Sequence, residues 1–322
     1  MRPTGVVYEP AQAAAIVAEL EARGVAAKLI ACTTEGSLRA ALGEADFLVA
    51  IPFPAELFRA APRVRWLQSL SAGVEAWLAA PGPPPWPITR MTGLYERYIT
   101  EYVFAHLLYR TQELAVLGRA QSRREWLPRS EWMTIRTRSV RGQVLGVAGL
   151  GSIGREVARA GEAFGMRVRG LRRDPELDPA ASAGPVRVFG PAELEQFLTG
   201  LDILVVTLPL TTETSGLIGG PELALLGGQA IVINVARGAV IDEAALHSAL
   251  ASGRLGGAVL DTFVTEPLPA SSPLWDLRNV TITPHMAGEA AAPEVADVCA
   301  PNIEAFLRGE IPGTLVDTGR GY

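Results

Sequence analysis

An arginine, a glutamate and a histidine each stand just beyond a short aliphatic run in the second half of this 322-residue chain. Ile231 to Asn234 leads into Val235-Ala236-Arg237-Gly238. Ala258 to Leu260 leads into Asp261-Thr262-Phe263 and Glu266-Pro267, and Val280 to Ile282 into Thr283-Pro284-His285. If the three runs are parallel strands of one sheet, Arg237, Glu266 and His285 arrive at the same sheet edge. Any one of them alone reads equally well as a surface charge or a satisfied loop residue; their joint placement argues against coincidence. Histidine titrates near neutrality and can hand a proton to an oxygen. A paired glutamate favours the imidazolium and fixes the ring. An arginine grips a carboxylate by two parallel hydrogen bonds while its charge polarises an adjacent carbonyl. Together these groups suit the reduction of a 2-keto acid, given a source of hydride.

The stretch Val144 to Arg173 supplies a place for that source. Gln143 to Ala148 is apolar and β-compatible, Gly149, Gly151 and Gly154 form a G-x-G-x-x-G turn, and helical spacing of apolar residues follows. The first glycine permits the tight turn, the second lets backbone approach a pyrophosphate, and the third allows close helix–strand packing. The amides of Ser152 and Ile153 would face phosphate oxygens at a helix N-terminus. Arg167 to Leu171 reads as the second strand. An NAD-specific site places an acidic residue about 20 residues past the glycines. Here Arg172 and Arg173 stand at the strand end and Asp174 beyond them. Two guanidiniums welcome a 2′-phosphate and offer no acceptor to a free ribose, so the pattern predicts NADPH over NADH.

The elements needed to position these groups are legible along the chain. Val6–Tyr8, Ala26–Ala31, Phe47–Ile51 and Val64–Ser69 read as strands and Ala11–Arg23 and Ser37–Leu42 as helices, a first α/β unit without a glycine motif at its opening turn. Ser71, Ala72 and Gly73 follow its last strand, where open α/β sheets bind ligands, though a plain turn reads equally well. The cluster Pro81 to Pro87 stiffens a surface connection. Ile99 to Arg119 reads as one long helix whose broad apolar face suits a domain crossing or a dimer contact. His106 within it reads as structural, and Arg123 to Arg141 as a loop. The second α/β unit continues with helices at Pro191–Leu198, Pro221–Leu226 and Ala244–Ala251 and strands at Ile203–Leu208, Ala230–Asn234, Gly257–Leu260 and Val280–Ile282. A last helix spans Pro293–Arg308, before the tail LVDTGRGY.

Composition narrows the function classes. Hydrophobic residues make up 48 % of the chain and charged residues 20 %, as in a globular protein, and the net charge of −5 argues against a nucleic-acid scaffold. Cys32 and Cys299 stand far apart and in no metal-like spacing, so neither a disulfide framework nor a metal site is expected. No signal segment or bilayer-length apolar run is evident, and a cytoplasmic location without membrane partners is expected.

The motifs SAGVE (Ser71–Glu75), GLGSIG (Gly149–Gly154), NVARG (Asn234–Gly238), LDTFVTEPLP (Leu260–Pro269) and TPHMAG (Thr283–Gly288) resemble, in order and spacing, the D-isomer-specific 2-hydroxyacid dehydrogenases. PLWDLRNVTITPH and the terminal VDTGRGY are most similar to the bacterial glyoxylate/hydroxypyruvate reductase branch. The resemblance implies two Rossmann-like doubly wound parallel-sheet α/β domains with the active site in the cleft between them. Residues 1–98 and 287–322 would form a flavodoxin-like substrate domain and 99–286 the dinucleotide-binding domain. It implies that Arg237 binds the substrate carboxylate and carbonyl, that His285 donates the proton and also contacts cofactor, and that Glu266 is its partner. Backbone amides of Ala72, Gly73 and Val74 would hold the carboxylate, and Asp261 the nicotinamide carboxamide. Leu208, Pro209, Thr214, Val235 and Ala236 would complete the cofactor contacts. The chain departs from the family at Glu75, where aspartate is frequent. It departs again at Val206-Thr207-Leu208-Pro209, where a histidine is frequent, and at the substrate-side loop Ala50-Ile51-Pro52-Phe53. The expected reaction is NADPH-dependent reduction of glyoxylate or hydroxypyruvate by a homodimer. A larger 2-keto acid such as phenylpyruvate, or a nucleotide-sensing role like that of the family's corepressor relatives, stands as the alternative.

Overall fold

A computed structural model describes residues 2–79, 82–175, 186–310 and 312–321. Pro81, at the head of the proline cluster, and Tyr322, at the end of the tail, lie outside the described residues. The chain divides into two compact units, Met1–Tyr95 with Glu289–Tyr322, and Glu96–Gly288. Each contains one all-parallel sheet.

The first unit holds β1 (Thr4–Tyr8), β2 (Lys28–Cys32), β3 (Phe47–Ala50), β4 (Leu67–Ser69) and β5 (Ile88–Thr89) in the order β2-β1-β3-β4-β5. Every residue of β1 and β3 is buried, whereas β2, at the sheet edge, is mostly exposed or half-buried. Helices α1 (Ala13–Ala22) and α2 (Glu35–Ala41) cover the sheet, the latter begun by a reciprocal cap between Thr34 and Ser37, and a single turn, α3 (Glu75–Leu78), follows β4. The helix Ala292–Leu307 packs along α1, returning the chain to this unit. The two-residue β5 has no counterpart in the sequence reading, because so short a run directly after Pro87 shows no period. It is fixed by its partners: Thr89 Oγ1 accepts from Trp66 Nε1 at 2.9 Å and donates to the Pro312 carbonyl at 2.8 Å.

The second unit holds β6 (Val144–Ala148), β7 (Arg167–Leu171), β8 (Arg187–Phe189), β9 (Ile203–Val206), β10 (Ile231–Asn234), β11 (Gly257–Leu260) and β12 (Val280–Ile282), ordered β12-β11-β10-β9-β6-β7-β8. The chain runs outward from β6 to β8, then returns to place β9 on the other flank of β6. That reversal is the crevice where doubly wound sheets take nucleotides. A core of Leu204, Val206, Val232, Leu246, Leu250 and Leu260 lies between this sheet and its helices. β8, absent from the sequence reading, extends the edge beside β7.

The long helix expected over Ile99–Arg119 is two. It begins earlier, as α4 (Tyr95–Thr111), and resumes as α5 (Leu114–Ser122) after Glu113, whose φ of 54° lies in the left-handed region. The cause is tertiary: the Thr111 carbonyl, which would accept from the next helical turn, accepts from the Arg138 amide at 2.7 Å. Gln112 Nε2 donates to the Arg138 carbonyl at 3.0 Å. The stretch Arg123–Arg141, expected as loop, contains one helical turn, α6 (Arg129–Trp132).

Candidate active site

The glycine turn follows β6 and opens α7 (Ser152–Ala163). Gly149 has φ of 110°, a conformation that L side chains rarely adopt. Its amide donates to the Leu171 carbonyl at 2.9 Å, and its carbonyl accepts from Thr207 Oγ1 at 2.7 Å. A Cβ at Gly154 would meet the Gly149 carbonyl oxygen at 1.8 Å, so α7 is drawn tightly onto the turn. A Cβ at Gly151 would meet nothing within 4 Å. Open space thus lies before the helix start, where the N–H groups of the first turn have no intrahelical acceptor. A pyrophosphate fits this combination of open space, donors and positive helix end.

Arg172 and Arg173 follow β7. The Arg172 amide pairs with the Phe189 carbonyl of β8 at 3.1 Å, fixing the strand end, and Arg173 forms an ion pair with Glu213. Arg155, on α7, joins them: burial, and then the Arg172 and Arg159 charges, push its guanidinium below the ordinary arginine value. A dianionic group would relieve that crowding of like charges. Sequence reading missed Arg155 because nothing in its spacing tells which strand end it faces. Thr214 spends its hydroxyl locally, donating to the Pro209 carbonyl at 2.6 Å and accepting from the Thr211 amide at 2.8 Å. Leu208, Pro209 and this turn follow β9, beside the glycine turn.

The carboxyl ends of the neighbouring strands β10, β11 and β12 carry Arg237, Glu266 and His285 respectively. After β10, the buried Asn234 side chain ties down the turn, Oδ1 accepting from the Ala236 amide and Nδ2 donating to the Arg237 carbonyl, both at 3.0 Å. Val235 and Ala236 lie within this staple. Arg237 is half-buried and its Nη1 donates to the Ala236 carbonyl at 2.7 Å. A Cβ at Gly238 would lie 2.0 Å from the Phe263 carbonyl carbon, so the arginine turn rests against the backbone of the β11 loop. That loop orients Glu266: Oε1 accepts from the Phe263 amide at 2.9 Å, and Oε2 lies 2.8 Å from His285 Nδ1. A carboxylate has only acceptors, so Nδ1 carries a proton and donates. Glu266 thus engages Nδ1 and leaves Nε2 as the ring's other nitrogen. The ring stays accessible, with 47 % of its side chain exposed.

The segment holding His285 is anchored by Asp261, itself 1 % exposed. Its Oδ1 accepts from Thr283 Oγ1 at 2.7 Å and the Met286 amide at 2.9 Å, and its Oδ2 from the Ala287 amide at 2.9 Å. Sequence reasoning named Asp261 but neither Asn234 nor Thr283 as working side chains. A polar residue at the last position of a buried strand, as Asn234 is, was the available signal.

In the first unit, the loop after β4 is braced from three directions. Ser69 Oγ accepts from the Ser71 amide and from Trp77 Nε1, both at 3.1 Å, and Tyr95 Oη donates to the Leu70 carbonyl at 2.6 Å. Burial pushes the Tyr95 phenol up to about 12, so it remains a donor. The amides of Ala72, Gly73 and Val74 donate to no acceptor among the described residues. Such a row of amides matches a carboxylate.

Residues 104–287 match the model of the D-isomer specific 2-hydroxyacid dehydrogenase NAD-binding domain. The chain belongs to the D-isomer specific 2-hydroxyacid dehydrogenases. It is 34 % identical over 287 residues to a glyoxylate/hydroxypyruvate reductase A of Serratia proteamaculans, covering 86 % of this chain and 88 % of that one. A D-isomer specific 2-hydroxyacid dehydrogenase of Xanthobacter autotrophicus, solved with NADPH and MES, superposes with a TM-score of 0.85 at 32 % identity over 100 % of both chains. An NADPH-dependent glyoxylate/hydroxypyruvate reductase of Sinorhizobium meliloti, solved with NADP and sulfate, gives 0.85 at 28 % identity, again over 100 % of both. The chain is therefore an oxidoreductase of this family, in its glyoxylate/hydroxypyruvate reductase branch, with a nicotinamide cofactor and a small 2-keto or 2-hydroxy acid as ligands. Among the described residues no helix is long and apolar enough to cross a membrane.

Proposed function

We propose that this dehydrogenase reduces glyoxylate or hydroxypyruvate with NADPH, and that His285 is the general acid. The observation that carries the reading is the His285 Nδ1 to Glu266 contact of 2.8 Å, which leaves Nε2 for substrate. NADPH supplies the hydride. The work of the protein is to hold the carbonyl and to deliver a proton to its oxygen. Arg237 grips the carboxylate and draws electron density from the adjoining carbonyl, Ala72, Gly73 and Val74 add backbone donors, and His285 Nε2 protonates the oxygen as charge develops there. Glu266 stabilises the cationic ring before transfer.

NADPH is favoured over NADH by Arg172 and Arg173, with Arg155 adding charge to the 2′-phosphate end. Gly149, Gly151, Ser152, Ile153 and Gly154 cradle the pyrophosphate, with Leu208, Pro209, Thr214, Val235 and Ala236 flanking the cofactor. Asp261 would hold the nicotinamide carboxamide. Residues 1–98 with 287–322 serve as the substrate domain and 99–286 as the cofactor domain.

The active species is a homodimer. Tyr109, Leu114, Leu117, Trp126, Trp132 and Met133 form a run of exposed apolar side chains over α4, α5 and the following turn, with Trp126 95 % exposed.

Oxidation of NADPH with a panel of 2-keto acids tests the reading. Glyoxylate and hydroxypyruvate should give the highest kcat/KM; turnover confined to phenylpyruvate would move the substrate to the larger acids, and no turnover with any would reject the function. Light scattering during size-exclusion should give twice the mass of one chain, and a monomer would reject the dimer.

A further inference from the structure

His285 adopts a backbone conformation that a histidine does not choose unaided. Its φ of 55° lies in the left-handed region, which a non-glycine residue keeps only where its surroundings hold it there. Those surroundings are a short chain of side chains. Asp261 receives hydrogen bonds from both sides of His285: from Thr283 Oγ1 before it, and from the amides of Met286 and Ala287 after it.

The Thr283 hydroxyl has one proton, and that proton goes to Asp261. Tyr102 Oη, 2.5 Å from Thr283 Oγ1, must therefore be the donor between those two. Burial pushes the Tyr102 phenol up to about 12, with Asp261 adding to the rise against the Thr283 bond, so the donor keeps its proton through the working pH range. The Tyr102 ring is itself braced by His106, centroids 4.3 Å apart. Burial chiefly, aided by Arg110 and opposed by Asp261, keeps the His106 imidazole below its ordinary value, hence neutral.

We propose that Tyr102 is a positioning residue for His285, acting through Thr283 and Asp261. The idea rests on the reading of His285 as proton donor. Tyr102 on α4 donates to Thr283, which holds the threonine proton toward Asp261, and the polarised carboxylate closes on the two amides that set the left-handed turn. Removing the phenol leaves Thr283 free to rotate and slackens the turn, so the imidazole departs from the line between Glu266 and the substrate oxygen. Tyr102 touches neither cofactor nor substrate in this scheme.

The test compares Tyr102→Phe, Thr283→Val, Thr283→Ser, the Tyr102→Phe/Thr283→Val double variant and His285→Ala. Tyr102→Phe should lower kcat for glyoxylate about 10-fold, as a misaligned catalytic group does, while KM and the Kd for NADPH stay within about twofold. Thr283→Val should reproduce that loss and Thr283→Ser should restore wild-type kcat. The double variant should be no worse than either single one, the mark of residues acting in series. In cofactor-free protein the Nδ1 proton resonance of His285, one of three histidines, should shift or broaden in Tyr102→Phe and return in Thr283→Ser. A Tyr102→Phe enzyme with wild-type kcat and an unchanged His285 resonance, alongside an inactive His285→Ala, overturns the proposal. A fully active His285→Ala would instead overturn the proton-donor reading beneath it.

Discussion

Glu266 divides its two oxygens between the Phe263 amide, 2.9 Å from Oε1, and His285 Nδ1, 2.8 Å from Oε2. The first contact fixes the carboxylate to its own loop, and the second fixes the imidazole to the carboxylate. The expected consequence is an ordered loss of activity. His285→Ala should lower kcat by about 10²- to 10⁴-fold, the usual worth of a positioned general acid. Glu266→Gln keeps a neutral acceptor for Nδ1 and should lose less. Steady-state kinetics on both variants checks the order, and a Glu266→Gln enzyme weaker than His285→Ala contradicts it.

Arg237 is held by its own backbone contacts and by the Asn234 staple, so its guanidinium is presented without rearrangement. If Arg237 holds the substrate as proposed, Arg237→Ala should raise KM and lower kcat together, because a carboxylate contact acts in the ground state and a carbonyl contact in the transition state. Arg237→Lys should recover little, since an ammonium cannot form two parallel bonds. Kinetic parameters near wild type in Arg237→Ala would remove it from the site.

At the other end of the cofactor, Arg173 is shared with Glu213. Arg172, whose amide is fixed to the Phe189 carbonyl of β8, tests the proposed 2′-phosphate contact. Arg172→Asp should reduce kcat/KM with NADPH on the order of 10- to 100-fold, the worth of one charge-assisted hydrogen bond, and improve that with NADH. An unchanged NADPH to NADH ratio would refute the assignment.

Gly238 separates the arginine turn from the Phe263 backbone. A Cβ there would sit 2.0 Å from a carbonyl carbon, and backbone cannot swing aside as a side-chain tip can. Gly238→Ala should cost about 1–3 kcal/mol of stability by overpacking. It should also lower kcat, by displacing the loop that holds Glu266. A variant with the wild-type Tm and kcat would show that the two loops are not in contact.

Asp46, in the first unit, predicts a pH dependence of stability. Burial would raise its carboxyl, but the Thr4 amide at 2.8 Å and the Arg63 guanidinium at 2.8 Å outweigh it and hold the group below the ordinary aspartate value. A depressed folded value means the unfolded chain binds the proton more readily, so the stabilisation is present above the unfolded value and disappears as pH falls through the folded one. Asp46→Asn should lower Tm at pH 7, and the gap from wild type should close as the pH is taken below about 4. A gap independent of pH would mean the charge is not the cause.

Most of the strands were legible because parallel strands buried on both faces read as aliphatic runs, as Ile203–Val206 and Ile231–Asn234 do. The break between α4 and α5 was not, since it depends on the Arg138 amide capturing the Thr111 carbonyl from outside the helix. Arg155 and Tyr102 escaped for a related reason. Their side chains face partners distant in sequence, and no local pattern distinguishes them from other residues of an amphipathic helix.

By itself, then, the sequence determined the chemical inventory: glycines where a helix starts against a strand, a basic pair at the next strand end, and an arginine, a glutamate and a histidine each just past a strand. Side-chain type and local periodicity are enough for that, because they act over a few residues. The tertiary structure decided which of these groups share partners. It set Glu266 between Phe263 and His285, laid Gly238 against the Phe263 backbone, and brought Tyr102 within 2.5 Å of Thr283. Those relations arise only when the parallel crossovers bring strands β10, β11 and β12 side by side, and hydrogen bonds resolve differences of tenths of an ångström that no spacing along the chain encodes.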